Sequence, residues 1–230
     1  MRTVTIADRF RGPPDSANGG YACGVVAAAL ETSEPVQVTL RSPPPLDTPL
    51  SIVEVEGGVE MKHGETVVAE GRTSTLDLEV PAAVDRATAE VAQKNFVGFE
   101  NHFLPTCFVC GTKHEQDGLR IFPGRVEGRE LAAAPWDPTP DLYEGGRIAS
   151  VFMWSALDCP SCFGAFITEP VLLGRLVAQI DERPPQGEKL VAVGWPIERD
   201  GRKIFAGSAI FGEDGRVLGK AFATWIAFKR

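Results

Sequence analysis

The sequence has no run of lysine or arginine, and its net charge is −8. Nucleic-acid binding draws its affinity from clustered basic side chains, so that class is excluded, while a single basic residue against a small ligand's phosphates is not. No apolar stretch approaches the roughly 18 residues of a membrane span. The opening residues Met1–Asp8 carry one positive charge but neither an apolar core nor a small-residue cleavage site, so they do not read as a secretory leader. Cysteine is sparse and odd in number, five in all, which fits a reducing cytoplasm better than a disulfide framework. What remains is an ordinary globular balance, 43% hydrophobic and 23% charged, with enough apolar material for a substantial core.

The chain reads as one pattern used twice. Asn18-Gly19-Gly20 opens Tyr21–Leu30, an uncharged segment, and Glu144-Gly145-Gly146 opens Arg147–Leu157, nearly as apolar. Good helix formers without a polar face predict helices buried on most sides, starting near Gly19 and Gly145. Similar segments follow each. Val36–Arg41 and Arg175–Ile180 run into prolines, and Leu50–Val55 and Leu190–Val193 come next. Thr66–Ala69 then follows His63-Gly64, and Lys203–Ala206 follows Asp200-Gly201. Asp214-Gly215 leads to a last run, Ala221–Phe228. Short β-branched and aromatic runs joined by such turns predict an antiparallel sheet. First strands are expected at Thr3–Phe10 and near Leu131–Ala134, a charged amphipathic helix at about 82–93, and a loop at Cys107–Gly118. The predicted class is α+β with two halves, 1–98 and 99–230, each a buried helix wrapped by a curled antiparallel sheet.

A buried helix opened by Gly-Gly and followed by antiparallel strands resembles the hotdog-fold thioesterase superfamily, and two copies look like its double-hotdog acyl-CoA thioesterases. Gly12–Tyr21 resembles the start of the first hotdog helix, and Cys107-Phe-Val-Cys-Gly111 with Asp117-Gly-Leu-Arg120 resembles the opening of phenylacetate-pathway-type thioesterase domains. The resemblance implies hydrolysis of an acyl thioester, acyl-CoA above all, without metal or organic cofactor, by a monomer or a homodimer. The superfamily also holds non-catalytic acyl-CoA or lipid binders, which is the alternative reading. The chain departs from the pattern in places. It has Asn18 and Glu144 where many single-domain enzymes carry His-Gly-Gly. Thr224-Trp225 stands where a late-strand Gln is usual, and none of His63, His102 and His114 lies on an apolar helix.

Thioester hydrolysis needs a polarised carbonyl and an activated water. A glycine-rich helix N-terminus offers free N–H groups and partial positive charge. Gly19, Gly20 and Tyr21 are therefore candidate substrate-binding residues, with Asn18 orienting the oxygen; the plainer alternative is an N-cap and a tight turn. Asp158 is the candidate general base, being the first acid after an apolar helix and preceding Cys159-Pro160, where that helix is expected to stop or kink. The plainer alternative is a solvated loop carboxylate. Glu31 is the expected counterpart in a degenerate second site, inactive because Glu144 would repel an oxyanion. Phe152, Trp154, Phe163 and Phe166 line an acyl tunnel or simply pack. Cys107/Cys110 and Cys159/Cys162 form two CxxC pairs. The two pairs would complete a four-thiolate zinc site if the fold joined them, but with 48 residues between them and the second pair beside an apolar helix, no metal is expected there.

Overall fold

The uncharged residues after Asn18 form the helix that their composition predicts. In the computed structural model, which describes residues 2–114 and 117–228, helix α1 spans Gly19–Ala27. Asn18 caps it, its side-chain oxygen accepting the Tyr21 N–H at 2.9 Å, which satisfies one of the free donors of the first turn. The second apolar helix, α3, spans Ser150–Gly164 and so starts later than Gly145. The Gly145-Gly146 pair instead turns a hairpin between β8 (Tyr143–Glu144) and β9 (Arg147–Ile148), with φ of 60° and 77°. Two successive left-handed residues suit a tight hairpin, and only glycine takes them up without strain.

Helix α3 also continues through Pro160 to Gly164, where the sequence predicts a stop or kink at the proline. A proline removes one helical donor and crowds the preceding turn. The carbonyl left without its helical donor is that of Ala156; the next two carbonyls each accept a hydroxyl, Leu157 O from Ser208 Oγ and Asp158 O from Ser161 Oγ, both at 2.6 Å. Asp158 consequently sits inside a buried helix rather than after it.

Helix α2, Arg86–Gln93, is capped by Asp85, which accepts the Thr88 N–H at 2.8 Å. Its buried Ala89 and Ala92 pack into a small satellite core with Leu131, Trp195 and Phe211.

The remaining strands are β1 (Arg2–Thr5), β2 (Val36–Leu40), β3 (Pro49–Val55), β4 (Gly58–His63), β5 (Thr66–Thr73), β6 (Gly124–Arg125), β7 (Ala132–Trp136), β10 (Val171–Ile180), β11 (Leu190–Asp200), β12 (Lys203–Phe211) and β13 (Val217–Ala227). They form one sheet in the order β1-β3-β4-β5-β2-β10-β13-β12-β11-β7-β6, every pairing antiparallel. The expected first strand ends early. Residues 8–10 form a 3-10 turn, from which the Phe10 ring stacks on Tyr21 at 4.0 Å. The architecture is α+β, a large antiparallel sheet with few helices.

Helices α1 and α3 share the main core and meet at backbone range. A Cβ on Gly20 would lie 2.6 Å from Asp158 Cβ, and one on Gly24 would lie 2.9 Å from Val151 Cα. The two glycines, one turn apart, bring the start of α1 directly onto the middle of α3. Among the described residues no helix is long and apolar enough to cross a membrane.

Candidate functional site

The contact between α1 and α3 brings Asn18 and Asp158 together from positions 140 residues apart. Asp158 is 2% exposed. Its Oδ2 accepts two bonds, from Asn18 Nδ2 at 2.8 Å and from the Gly20 N–H at 2.9 Å. Its Oδ1 is buried without a hydrogen-bond partner. Such an atom is costly to leave unsatisfied, so it marks either strain or a group waiting for a ligand. Burial pushes the carboxyl up to about 7. The Gly20 N–H pulls the other way, the nearby Cys107 adds to the rise, and the Asn18 amide opposes it.

A cavity of about 320 Å³ opens beside this pair. Asn18, Gly19, Asp158, Phe163, Leu173 and Trp225 are on its wall. The wall is mostly apolar, with few polar groups converging, as is common for small-ligand sites. Trp225, from the last strand, does more than line the wall. Its Nε1 donates to Ser161 Oγ at 2.9 Å, and that hydroxyl donates to the Asp158 carbonyl, so the indole braces the α3 turn that carries the carboxylate.

The five predicted site residues divide. Asn18, Gly19 and Asp158 line the cavity. Gly20 and Tyr21 do not: the Gly20 N–H is donated to Asp158 and the Tyr21 N–H to Asn18 Oδ1. The Tyr21 ring instead belongs to an aromatic cluster with Phe10, Phe108 and Phe152, and burial pushes its hydroxyl up to about 12. Of the tunnel candidates, Phe163 alone reaches this cavity. Trp154 lines a separate depression, and Phe166 lies under the Arg125 guanidinium at 4.3 Å.

That separate depression sits at the opposite helix pairing, between the end of α1 and the start of α3, with Ser150 and Ala27 on its wall. Asp158 is the ninth residue of α3 counted from Ser150, and the ninth of α1 counted from Gly19 is Ala27. Glu31 lines the same depression but is exposed, on a left-handed residue after the helix has ended. Glu144 lies in the β8–β9 hairpin rather than at the α3 start. The ninth position of α1, Ala27, thus carries no carboxylate, whereas the ninth of α3 is Asp158.

Sequence spacing gave no sign that the CxxC loop belongs to this site. Cys107 Sγ lies 3.7 Å from both Asn18 Nδ2 and Cys159 Sγ, and Cys107, Cys110, Cys159 and Cys162 all line the cavity. Separation by 48 residues along the chain is not separation in space.

The capping bond gives one expected result. Asn18→Ala removes both the N-cap and a donor to Asp158 and should lower unfolding free energy by about 1–2 kcal/mol, read by urea denaturation. An unchanged midpoint would show that the cap contributes nothing.

No protein-family model matches the chain, and no curated protein matches it. Solved structures do. A putative thioesterase II from Thermobifida fusca aligns over 99% of this chain and 92% of its own, with TM-score 0.64 at 12% identity. A conserved protein of unknown function with a hotdog fold from Alicyclobacillus acidocaldarius aligns over 99% and 93%, with TM-score 0.63 at 12% identity. An acyl-CoA thioesterase II from Mycobacterium marinum aligns over 99% and 93%, with TM-score 0.60 at 12% identity. At these identities the likeness is one of architecture alone: the chain shares the hotdog fold of these structures, two of which are described as thioesterases.

Proposed function

We propose that the chain is a tandem of two hotdog units, residues 1–98 and 99–230, that hydrolyses an acyl thioester, with acyl-CoA as the substrate class. The strand order supports the duplication. Reading outward from the β2–β10 seam, one side runs β5, β4, β3, β1 and the other β13, β12, β11, β7, the same connectivity reflected. Fusion supplies within one chain the pairing that single units obtain by dimerising, and a further homodimer is compatible with it. Five free cysteines fit a cytoplasmic setting.

One observation carries the activity: a buried carboxylate with an unpartnered oxygen, held at a helix N-terminus on the wall of an apolar cavity. In the reaction, Asp158 Oδ1 takes a proton from a water as its oxygen attacks the thioester carbonyl carbon. The carbonyl oxygen takes up negative charge at the start of α1. There the first N–H, which no carbonyl within the helix can accept, belongs to Gly19 on the cavity wall. Collapse breaks the C–S bond, and the proton on Asp158 passes to the departing thiolate, giving acid and thiol. Gly20 and Tyr21 act through Asp158 and Asn18, each fixing one of them by its N–H. Arg41 and Arg202 also line the cavity and give an anionic carrier its basic partners.

The test is turnover of acyl-CoAs of graded chain length, read by release of free thiol. Thiol release that requires Asp158 supports the reading. Saturable binding of acyl-CoA with no release at any chain length would replace it with the non-catalytic acyl-binding alternative.

A further inference from the structure

We propose that Cys107, Cys110 and Cys159 form a binding site for a soft divalent metal, zinc by class, whose fourth position opens on the cavity beside Asp158. The sulfur atoms of these three buried cysteines lie within 4.8 Å of one another. Tetrahedral zinc with Zn–S bonds of about 2.3 Å sets its sulfurs roughly 3.8 Å apart. The Cys107–Cys159 separation is 3.7 Å with both thiols free. A disulfide would need the two sulfurs at about 2.05 Å, far inside this distance.

The backbone is built for such a site. Cys107 and Cys110 stand on a tight turn in which the Gly111 N–H donates to Cys107 O at 2.8 Å. A Cβ on Gly111 would lie 2.4 Å from that oxygen, so the turn closes only around glycine. The loop is then pinned on both sides. Phe108 N–H donates to Arg11 O, Leu119 N–H to Phe108 O and Ile121 N–H to Val109 O, at 2.8, 2.8 and 2.9 Å. The third sulfur comes from α3, one residue after Asp158. A metal here would tie the loop to the helix that carries the carboxylate.

The rest of the neighbourhood explains why the fourth position is open. Cys162 lines the same cavity, one turn further along α3, but its sulfur stands outside the three-sulfur cluster. His102 has both ring nitrogens engaged, with Cys110 O and with the Leu104 N–H, each at 3.0 Å. Asp158 Oδ2 is held by Asn18 and Gly20. Three protein ligands with a cavity at the fourth corner is the arrangement that leaves room for an exchangeable ligand, whereas structural zinc sites are usually closed by four. The site stands apart from the hydrolase reading, since it is defined by ligands rather than by turnover.

The experiment is metal analysis of the full chain produced with zinc in the medium, with cobalt(II) substitution to report the ligands. Close to one zinc per chain is expected, falling at least tenfold in Cys107→Ser and in Cys159→Ser, with Cys23→Ala and Cys162→Ala retaining it. The cobalt protein should show sulfur-to-metal charge-transfer absorption that weakens in Cys110→Ser. Its visible bands should shift on addition of 2-mercaptoethanol, a thiol able to take the fourth position. A parent protein that holds no zinc and takes up no cobalt when reduced would overturn the site. Loss of the metal in Cys162→Ala would overturn the three-sulfur ligand set, and visible bands indifferent to the added thiol would overturn the open position. Circular dichroism of each variant separates loss of metal from loss of fold.

Discussion

Asp158→Asn should lower kcat for acyl-CoA hydrolysis by roughly 100-fold or more, with KM changed far less. The asparagine has nearly the same shape, and its oxygen can still accept the Asn18 amide and the Gly20 N–H, so the contact between α1 and α3 has no steric reason to open. What disappears is the capacity of the unpartnered oxygen to take a proton, because the amide nitrogen that replaces it is a donor. The measurement is steady-state thiol release across several substrate concentrations, paired with thermal unfolding of both proteins. Parent-level turnover by a folded variant would remove Asp158 from the mechanism. A fall in KM with unchanged kcat would make it a group that hinders substrate binding rather than one that does chemistry.

The sequence is most legible where one local rule decides the outcome. The uncharged run after Asn18 has no stable alternative to burial, and α1 forms where that argument puts it. Gly64, Gly201 and Gly215 all adopt the positive φ that their turns require. Legibility fails where two local rules compete. Gly-Gly reads equally as a flexible helix start and as a two-residue hairpin, and residues 19–20 take the first solution while 145–146 take the second. Counted from those glycine pairs, Asp158 lies twelve residues after Gly146, as Thr32 does after Gly20; counted from the helix starts, Asp158 and Ala27 hold the same place. Pro160 is a second such conflict. The helix nevertheless runs on to Gly164 with Pro160 buried, a tertiary setting that no reading of the α3 segment alone contains. The cysteines fail for a third reason. Sequence spacing measures the closure of one loop, and Cys110 and Cys159 are brought together by the docking of a loop on a helix.

Gly20→Ala should damage stability and turnover together, because at this glycine the two effects have one cause. The methyl carbon would lie 2.6 Å from Asp158 Cβ, 2.7 Å from Trp154 O and 3.0 Å from Ser155 Cα. Two of these three neighbours are backbone atoms of a buried helix and the third is fixed directly to that backbone, so no flexible side chain can swing aside. Overpacking of this kind costs about 1–3 kcal/mol. The expected relief is a small displacement of α1 from α3, which lengthens the 2.9 Å bond from the Gly20 N–H to the carboxylate and moves the helix N-terminus away from it. Misplacement of about 1 Å at a reacting centre can cost on the order of 100-fold in rate. We therefore expect a lowered urea midpoint and a fall in kcat of more than about tenfold in the same variant. Unfolding equilibria and thiol release measured on one preparation decide the matter. A variant as stable as the parent would show that the helices do not need this close approach. A destabilised variant with parent-level kcat would show that the Gly20–Asp158 bond does not position the base.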